Sequence, residues 1–187
     1  MTNIQIMKQA LHVSVIKELC DKGFTGKWPH FRRENEGCME LISFQINKWG
    51  GSFIVELSAV FPLSERKNYV PWEGLTLDQV TVWNTMERYR LKGMYDGWFY
   101  YRDLYCKRIP FSGMDYIDVP ENKADSFRIP EGYRLAQKFD EDRAREICVE
   151  VHKQLQEGFC WLENFVRAST QPKTRFSWFF KTGSKRK

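Results

Sequence analysis

One continuous part of this chain contains three successive stretches with the composition of β-strands, at residues 28–34, 38–47 and 52–61. The sequence Asn35-Glu36-Gly37 separates the first two stretches, and Gly50-Gly51 precedes the third. Both are turn sequences, because glycine adopts positive φ without a clash at Cβ. Strands joined by such short turns pair antiparallel, so this part restricts the fold to classes that contain an antiparallel sheet.

The central stretch also indicates which of its sides faces the core. Its side chains alternate between two sets, of which the more apolar is Glu40, Ile42, Phe44 and Ile46. Successive side chains of a strand point to opposite faces, so we expect this set to face the core and Gln45 to face away. Pro62 follows the third stretch and ends it, because proline cannot donate a ladder hydrogen bond.

Two amphipathic helices flank the strands. Residues 4–22 place apolar side chains at steps of three and four, and Gly23 follows, a residue type preferred where helices end. A longer helix is expected from Asp140 to about Arg167, with Gly158 costing it about 1 kcal/mol relative to alanine. This order of elements indicates an α+β fold: an antiparallel sheet of about four to six strands, with an N-terminal and a long C-terminal helix packed on one face.

The middle of the chain has weaker patterns. Thr76 and Gln79 have the spacing of a capping box, and a partial helical stripe continues to Met86, although its β-branched residues also favour a strand. Residues 98–106 are rich in aromatic side chains and are expected to form a strand. Residues 109–130 contain several prolines and are expected to form a loop.

The positive charge of the chain is concentrated at its C-terminal end. The formal net charge is +5, and residues 171–187 contain six lysines and arginines without an acid, so the remainder carries −1. We therefore expect a single α+β domain at residues 1–170 and a basic, aromatic extension at residues 171–187. A nearly neutral body disfavours nucleic-acid binding by the folded domain, because such domains carry their positive charge on a face of the fold.

The three histidines and five cysteines do not have the spacing of a known site. There is no C-x-x-C pair, no G-x-S-x-G elbow and no glycine-rich phosphate loop. We therefore expect no catalytic residue, no cofactor and no metal, and the chain is not expected to be an enzyme. Free thiols without an export signal indicate the cytoplasm, and no apolar run approaches the ~18 residues of a membrane span.

Polar, basic and aromatic side chains on the predicted strands form the candidate binding surface: Arg32, Arg33, Gln45, Lys48, Trp49 and Trp98. On adjacent strands they can gather on the sheet face away from the helices, where arginine planes beside indole rings favour recognition. The alternative is an ordinary solvated face with cross-strand pairs such as Arg33 with Glu40.

The C-terminal extension interleaves aromatic and basic residues, and its candidate contacts are Lys173, Arg175, Trp178 and Lys181. It fits a nucleic-acid or anionic-surface anchor, and it equally fits a final strand docked on the fold or on a partner chain.

Short motifs recur along the chain: Gly23-Phe24, Phe31-Arg32-Arg33, the run from Ile42 to Trp49, Arg88–Leu91, Asp96–Phe99 and residues 155–165. In this combination they resemble the bacterial domain-of-unknown-function 4304 family. The resemblance implies an initial helix, an aromatic-arginine strand and a closing helix, and it implies no reaction. We expect a non-enzymatic module that binds a protein partner through the sheet face, or alternatively nucleic acid or an anionic surface through the extension. The oligomeric state is left open.

Overall fold

The computed structural model describes residues 1–35, 37–62, 68, 75–94, 96–118 and 128–170. In these ranges the expected α+β class is confirmed, since helices at the two ends enclose antiparallel strands. The main sheet has six strands: β1 Thr25–Lys27, β2 His30–Asn35, β3 Cys38–Ile46, β4 Ser52–Val60, β5 Tyr89–Arg90 and β6 Phe99–Tyr100.

The sheet runs in the order β1-β2-β3-β4-β5, and β6 pairs with the other end of β4. β5 lies beside Glu56 and Leu57, while β6 lies beside Ser52 and Phe53, so two short strands share one long edge. The strand predicted at residues 28–34 begins two residues later, because Trp28 and Pro29 form the turn between β1 and β2.

The N-terminal helix is continuous but contains one wider turn. α1 covers Asn3–Leu11, a π-helical turn covers His12–Ile16, and α2 covers Lys17–Asp21. Thr2 and Gln5 form a reciprocal capping box at its start. Gly23 follows its end with φ 86°, the left-handed conformation that glycine adopts without a Cβ clash.

The C-terminal helix α3 covers Glu141–Thr170 and confirms the long helix expected from Asp140. Asp140 precedes it, and its Oδ1 accepts a hydrogen bond from the Arg143 backbone N–H at 3.0 Å. This contact satisfies one of the donors that a helix start leaves unpaired. Neither this helix nor any other in the described ranges has the length and hydropathy needed to cross a bilayer.

The main core lies between the helices and one side of the sheet, hereafter the helix side. It contains Leu11, Leu19, Ile42, Phe44, Phe53, Leu57, Val151 and Leu155, all at most 1% exposed. Burial of each such side chain contributes ~1.5–3 kcal/mol, so the core on the helix side is the main source of stability. The expectation that Ile42 and Phe44 face the core is confirmed.

The opposite side of the sheet, hereafter the outer face, is covered over part of its area. Two 3₁₀ turns, Leu77–Gln79 and Val82–Asn84, place Val80 and Val82 against Leu41 and Val60. The capping box of Thr76 and Gln79 is present. The partial helical stripe after it does not form one helix, because Val80 is extended (φ −66°, ψ 132°) and a second capping box at Thr81 and Asn84 starts a separate 3₁₀ turn.

A second antiparallel sheet extends from the domain. Its order is β8-β7-β9, from strands β7 Leu104–Ile109, β8 Gly113–Asp118 and β9 Arg134–Gln137. The strand predicted at 98–106 is thus divided between β6 and β7. The loop predicted at 109–130 is wrong for β8, since Pro110 and Gly113 belong to a hairpin turn and β8 pairs with β7 along its whole length.

Candidate recognition face

Strand register separates two arginines that are adjacent in the sequence. Arg32 lies opposite Leu41 and Arg33 lies opposite Glu40 in the β2–β3 ladder. Antiparallel partners share a face, so Arg32 belongs to the outer face and Arg33 to the helix side. Of the two, only Arg32 shares a face with Gln45.

Arg33 makes the cross-strand pair that the sequence left as the alternative. Its Nη2 lies 2.6 Å from Glu40 Oε2, its Nε donates to the same oxygen at 2.7 Å, and Asn35 Nδ2 donates to Oε1 at 3.0 Å. The Glu40 side chain is 2% exposed. A buried carboxylate requires such partners, so Arg33 has a structural task on the helix side and is not part of an outer recognition surface.

A row of polar residues crosses the outer face perpendicular to five strands. The register places Lys27 opposite His30, His30 opposite Ser43, Ser43 opposite Glu56, and Glu56 opposite Arg90. Each residue therefore has its neighbours on the same face. The row lies beside the part covered by the 3₁₀ turns; Ser43 and Glu56 within it are buried, whereas Lys27 and Arg90 at its two ends are exposed.

Glu56 is the buried acid of this row, between Ser43 and Arg90. Its side chain is 2% exposed, and its Oε1 accepts from Arg90 Nε at 3.1 Å and Nη2 at 3.0 Å, with Arg88 Nε at 3.6 Å. The side chains of Arg88 and Arg90 are 40% and 44% exposed. Glu56 thus anchors two guanidinium groups whose outer faces contact solvent.

His30 links the row to an exposed indole. Its Nδ1 lies 2.8 Å from Ser43 Oγ, and the Trp83 ring packs edge-on against it at 4.6 Å between centroids. Burial lowers the pKa of His30, and the nearby Arg32 charge lowers it further. At neutral pH the imidazole is therefore uncharged and forms part of the packed surface.

Serine, histidine and glutamate occur together in this row, but not in the order that acyl transfer requires. In a catalytic triad the histidine lies between the serine and the acid. Here Ser43 lies between His30 and Glu56, and Ser43 is only 1% exposed. The row therefore fits a structural network better than an activated nucleophile.

Three more of the predicted residues, Gln45, Lys48 and Trp49, lie at the end of β3 and in the turn that follows it. Gln45 is exposed on the outer face, and Trp49 is 55% exposed in the turn, with Lys48 Nζ 4.8 Å from its ring centroid. This contact is a cation–π pair at the surface. Gln45 lies on the sheet face away from the helices, whereas Lys48 and Trp49 lie in the turn beyond the end of β3, and a shared binding surface of these residues stays a prediction.

β6 adds aromatic and basic residues next to that turn. Tyr100 lies opposite Ser52 on the outer face, and Trp98, two residues earlier, shares that side. The Arg102 guanidinium lies 4.7 Å from the Tyr100 ring centroid, and its stem lies across Gly51. A Cβ on Gly51 would be 2.8 Å from Arg102 Cδ, so the glycine leaves room for this arginine.

A similar close approach positions Arg90. A Cβ on Gly97, which has φ 80°, would come within 2.9 Å of Arg90 Cδ. The arginine that pairs with Glu56 therefore lies over a glycine in the loop before β6. The sequence indicated Gly51 as a turn residue and Gly97 as part of a family-like motif, and it indicated for neither a close approach to an arginine.

We define the recognition face as the exposed and half-buried polar, basic and aromatic side chains around the outer face and in the β3–β4 turn. Its residues are His30, Gln45, Lys48, Trp49, Trp83, Arg88, Arg90, Trp98, Tyr100 and Arg102. Sequence patterns missed Trp83, Arg88, Arg90, Tyr100 and Arg102, because Arg90 and Tyr100 lie on two-residue strands without a measurable alternation and the other three lie outside the strands. The basic and aromatic side chains of these five residues were the signal in the sequence that could have identified them.

A separate groove of about 450 Å³ runs between the π-helical turn and α3. Ser14, Cys148 and His152 are among its lining residues. Burial raises the pKa of the Cys148 thiol, and a hydrogen bond with Ser14 opposes this. A thiol of raised pKa is a poor nucleophile at neutral pH, so the groove lacks an activated cysteine.

No set of three or more histidine, cysteine, aspartate or glutamate side chains in the described part of the chain is arranged to hold a metal ion. The predicted contacts Lys173, Arg175, Trp178 and Lys181 lie outside the described residues. The domain boundary at residue 170 therefore stays a prediction.

Residues 15–69 match the family model described as Domain of unknown function (DUF4304), and this range includes α2 and strands β1 to β4. No curated protein and no solved structure matches the chain. The motifs at Arg88–Leu91, Asp96–Phe99 and 155–165 lie beyond the matched range. Residues 15–69 are therefore similar to the domain of unknown function DUF4304, as their motifs predicted.

Proposed function

We propose that this domain is a non-enzymatic interaction module that binds an acidic segment of a protein partner through the recognition face. The observation that carries the proposal is the Glu56 anchor, which holds Arg88 and Arg90 with exposed guanidinium surfaces. Lys48 and Arg102 add positive charge beside Trp49 and Tyr100.

The chemistry of these side chains favours an acidic partner. Arginine binds carboxylates with two parallel hydrogen bonds, and a guanidinium held by one buried acid keeps donors for a second. Tryptophan, tyrosine and arginine are also the residues enriched at interface hot spots. Preorganised arginines lose less side-chain entropy on binding, which supports recognition by this face.

A photo-crosslinking experiment tests the proposal. A photoreactive amino acid is placed at Gln45 on the recognition face and, as a matched control, at Val149, which is 68% exposed on α3. We expect a discrete adduct in native host cells from position 45 only. The crosslinked protein is then identified and purified for affinity measurements.

Those measurements use variants that leave the fold intact. Trp49→Ala and Lys48→Ala alter exposed side chains in a turn, and each should weaken binding about tenfold, the effect of a modest hot spot. Arg145→Ala on α3, with its side chain 67% exposed, should leave the affinity unchanged. Equal affinity of all three variants, or equal crosslinking from both positions, would contradict the proposal.

The C-terminal extension supports a second candidate function by its composition alone, nucleic-acid or anionic-surface binding. Truncation after Ser169 should then abolish salt-dependent binding of oligonucleotides. Absence of such binding by the intact chain would exclude this candidate.

A further inference from the structure

The β7–β8 hairpin ends in a turn whose sequence does not suit its backbone. The Ser112 backbone N–H donates to the Ile109 carbonyl at 3.2 Å, Pro110 follows Ile109, and Phe111 has φ 68°. These features define a turn of type II, in which the residue after proline needs positive φ and is normally glycine or asparagine. A bulky side chain in this conformation is an outlier.

Phe111 receives no packing in exchange for this unfavourable conformation. Its relative exposure is 108%, so the ring contacts water on all sides in the free domain. A polar residue or glycine would serve both the turn and the fold better. Strain of this kind without a folding role indicates a functional one.

Other apolar side chains lie at the same end of the hairpin. Ile109 is 38% exposed, Met114 is 41% exposed and Tyr116 is 55% exposed. Met114 and Tyr116 are two residues apart on β8 and share a face of the second sheet. With Phe111 they form an apolar tip, defined by these four residues.

Two cations lie among the residues of the apolar tip, since Arg108 lies opposite Met114 and Lys107 lies one pair closer to the turn than Tyr116. Lys107 and Arg108 are consecutive exposed residues of β7, so their side chains leave opposite faces of the hairpin. Lys107 lies four and Arg108 three residues before Phe111, which puts them at most ~10–13 Å from it, because the chain turns at Pro110. Asp115 lies opposite Lys107 and accepts a hydrogen bond from the Tyr133 hydroxyl. Arg108 lies opposite the apolar Met114 and so has no acid as its cross-strand partner.

We propose that the apolar tip inserts into the surface of an anionic lipid bilayer. A convex tip needs a partner that yields to its shape, and the interfacial region of a bilayer does so without a matching pocket. Apolar groups there reach ~5–10 Å below the headgroups, so Lys107 and Arg108 meet the lipid phosphates. Such cations add attraction to anionic lipids that falls with salt.

Vesicle co-sedimentation tests the proposal with the full chain. We expect binding to phosphatidylcholine vesicles that contain phosphatidylglycerol, reduced binding at high salt, and little binding to phosphatidylcholine alone. Phe111→Asn should lower the bound fraction about tenfold, because it removes the largest apolar side chain of the tip. Asparagine tolerates positive φ, so this variant keeps the turn and the fold.

Two further variants separate the hairpin from the rest of the surface. Val149→Ser removes an exposed apolar side chain of α3 and should bind vesicles as the unchanged protein does. Arg108→Glu should reduce binding only to the anionic vesicles. The proposal is overturned if the unchanged protein does not bind anionic vesicles, or if Phe111→Asn binds these vesicles as well as the unchanged protein does.

Discussion

Gly158 of α3 lies directly against Leu57 of β4. A Cβ on Gly158 would be 3.1 Å from Leu57 Cδ1 and 3.3 Å from Leu91 Cδ2. In the sequence this glycine interrupts an apolar stripe and weakens a helix. In the fold it lets the helix backbone approach the sheet over two fully buried leucines.

Gly158→Ala should therefore not give the stabilisation expected for a helix interior. The gain in helix propensity is about 1 kcal/mol, while overpacking of a filled core costs about 1–3 kcal/mol. We expect a net loss of up to ~2 kcal/mol in the free energy of unfolding. Urea-induced unfolding followed by circular dichroism measures it.

A double-mutant cycle tests whether contact with Leu57 causes the destabilisation by Gly158→Ala. Leu57→Ala leaves a cavity where the new methyl group would lie. Gly158→Ala should then stabilise the Leu57→Ala background by up to about 1 kcal/mol, the propensity gain less any remaining cost of the contact with Leu91. The same destabilisation in both backgrounds would show that packing against Leu57 is not responsible.

Arg33→Ala should destabilise the domain strongly. It leaves the carboxylate of Glu40 buried with Asn35 as its remaining hydrogen-bond donor among the contacts described above. We expect a loss of about 3 kcal/mol, the lower end for breaking a buried pair, because Arg33 itself is 30% exposed. Chemical denaturation measures the change.

The exposed ion pair of Lys92 and Glu157 is the matched control for the buried pair of Arg33 and Glu40. Its side chains are 71% and 49% exposed, and the Nζ–Oε2 distance is 2.7 Å. The mutual hydrogen bond raises the pKa of Lys92 and lowers that of Glu157, yet both groups keep their contact with solvent. Lys92→Ala should not change the denaturation midpoint measurably, and an effect as large as that of Arg33→Ala would refute the burial argument.

His30 should make the stability of the domain depend on pH. Burial, with Arg32 second, lowers the pKa of His30 in the folded state below the ordinary value of about 6.5. Below about pH 6.5 the unfolded chain therefore binds more protons than the folded one. The free energy of unfolding consequently decreases as the pH is lowered, until the pH passes below the folded-state pKa. Unfolding curves between about pH 8 and about pH 5 should show a smaller decline for His30→Gln than for the unchanged protein. Parallel declines would refute the role of His30.

The five cysteines should separate into two classes. Cys20 and Cys160 are exposed, whereas Cys38, Cys106 and Cys148 are buried, and all five are free thiols. A thiol reagent that absorbs on reaction should titrate the first two rapidly in the native protein and the other three after denaturation. Rapid reaction of Cys148 would contradict its burial and its raised pKa.

Local patterns predicted the regular elements well. The period of two placed Ile42 and Phe44 in the core, and the period of 3.6 predicted the helix that begins after Asp140. Both patterns are local, since they follow from the repeat of a single strand or helix. The turn at Pro110 was misinterpreted because proline and glycine mark hairpin turns and loops alike.

The sequence by itself determined the fold class, the central strands, the two helices and the similarity of residues 15–69 to DUF4304. Only the tertiary structure decided that Arg33 faces Glu40, that Arg90 joins Glu56 from 34 positions away, and that Gly158 meets Leu57. Register and packing between distant segments set these contacts, and a one-residue difference reverses the face of a side chain. For that reason the composition could indicate a basic, aromatic surface, but only the strand register shows which of these residues lie on the same face of the sheet.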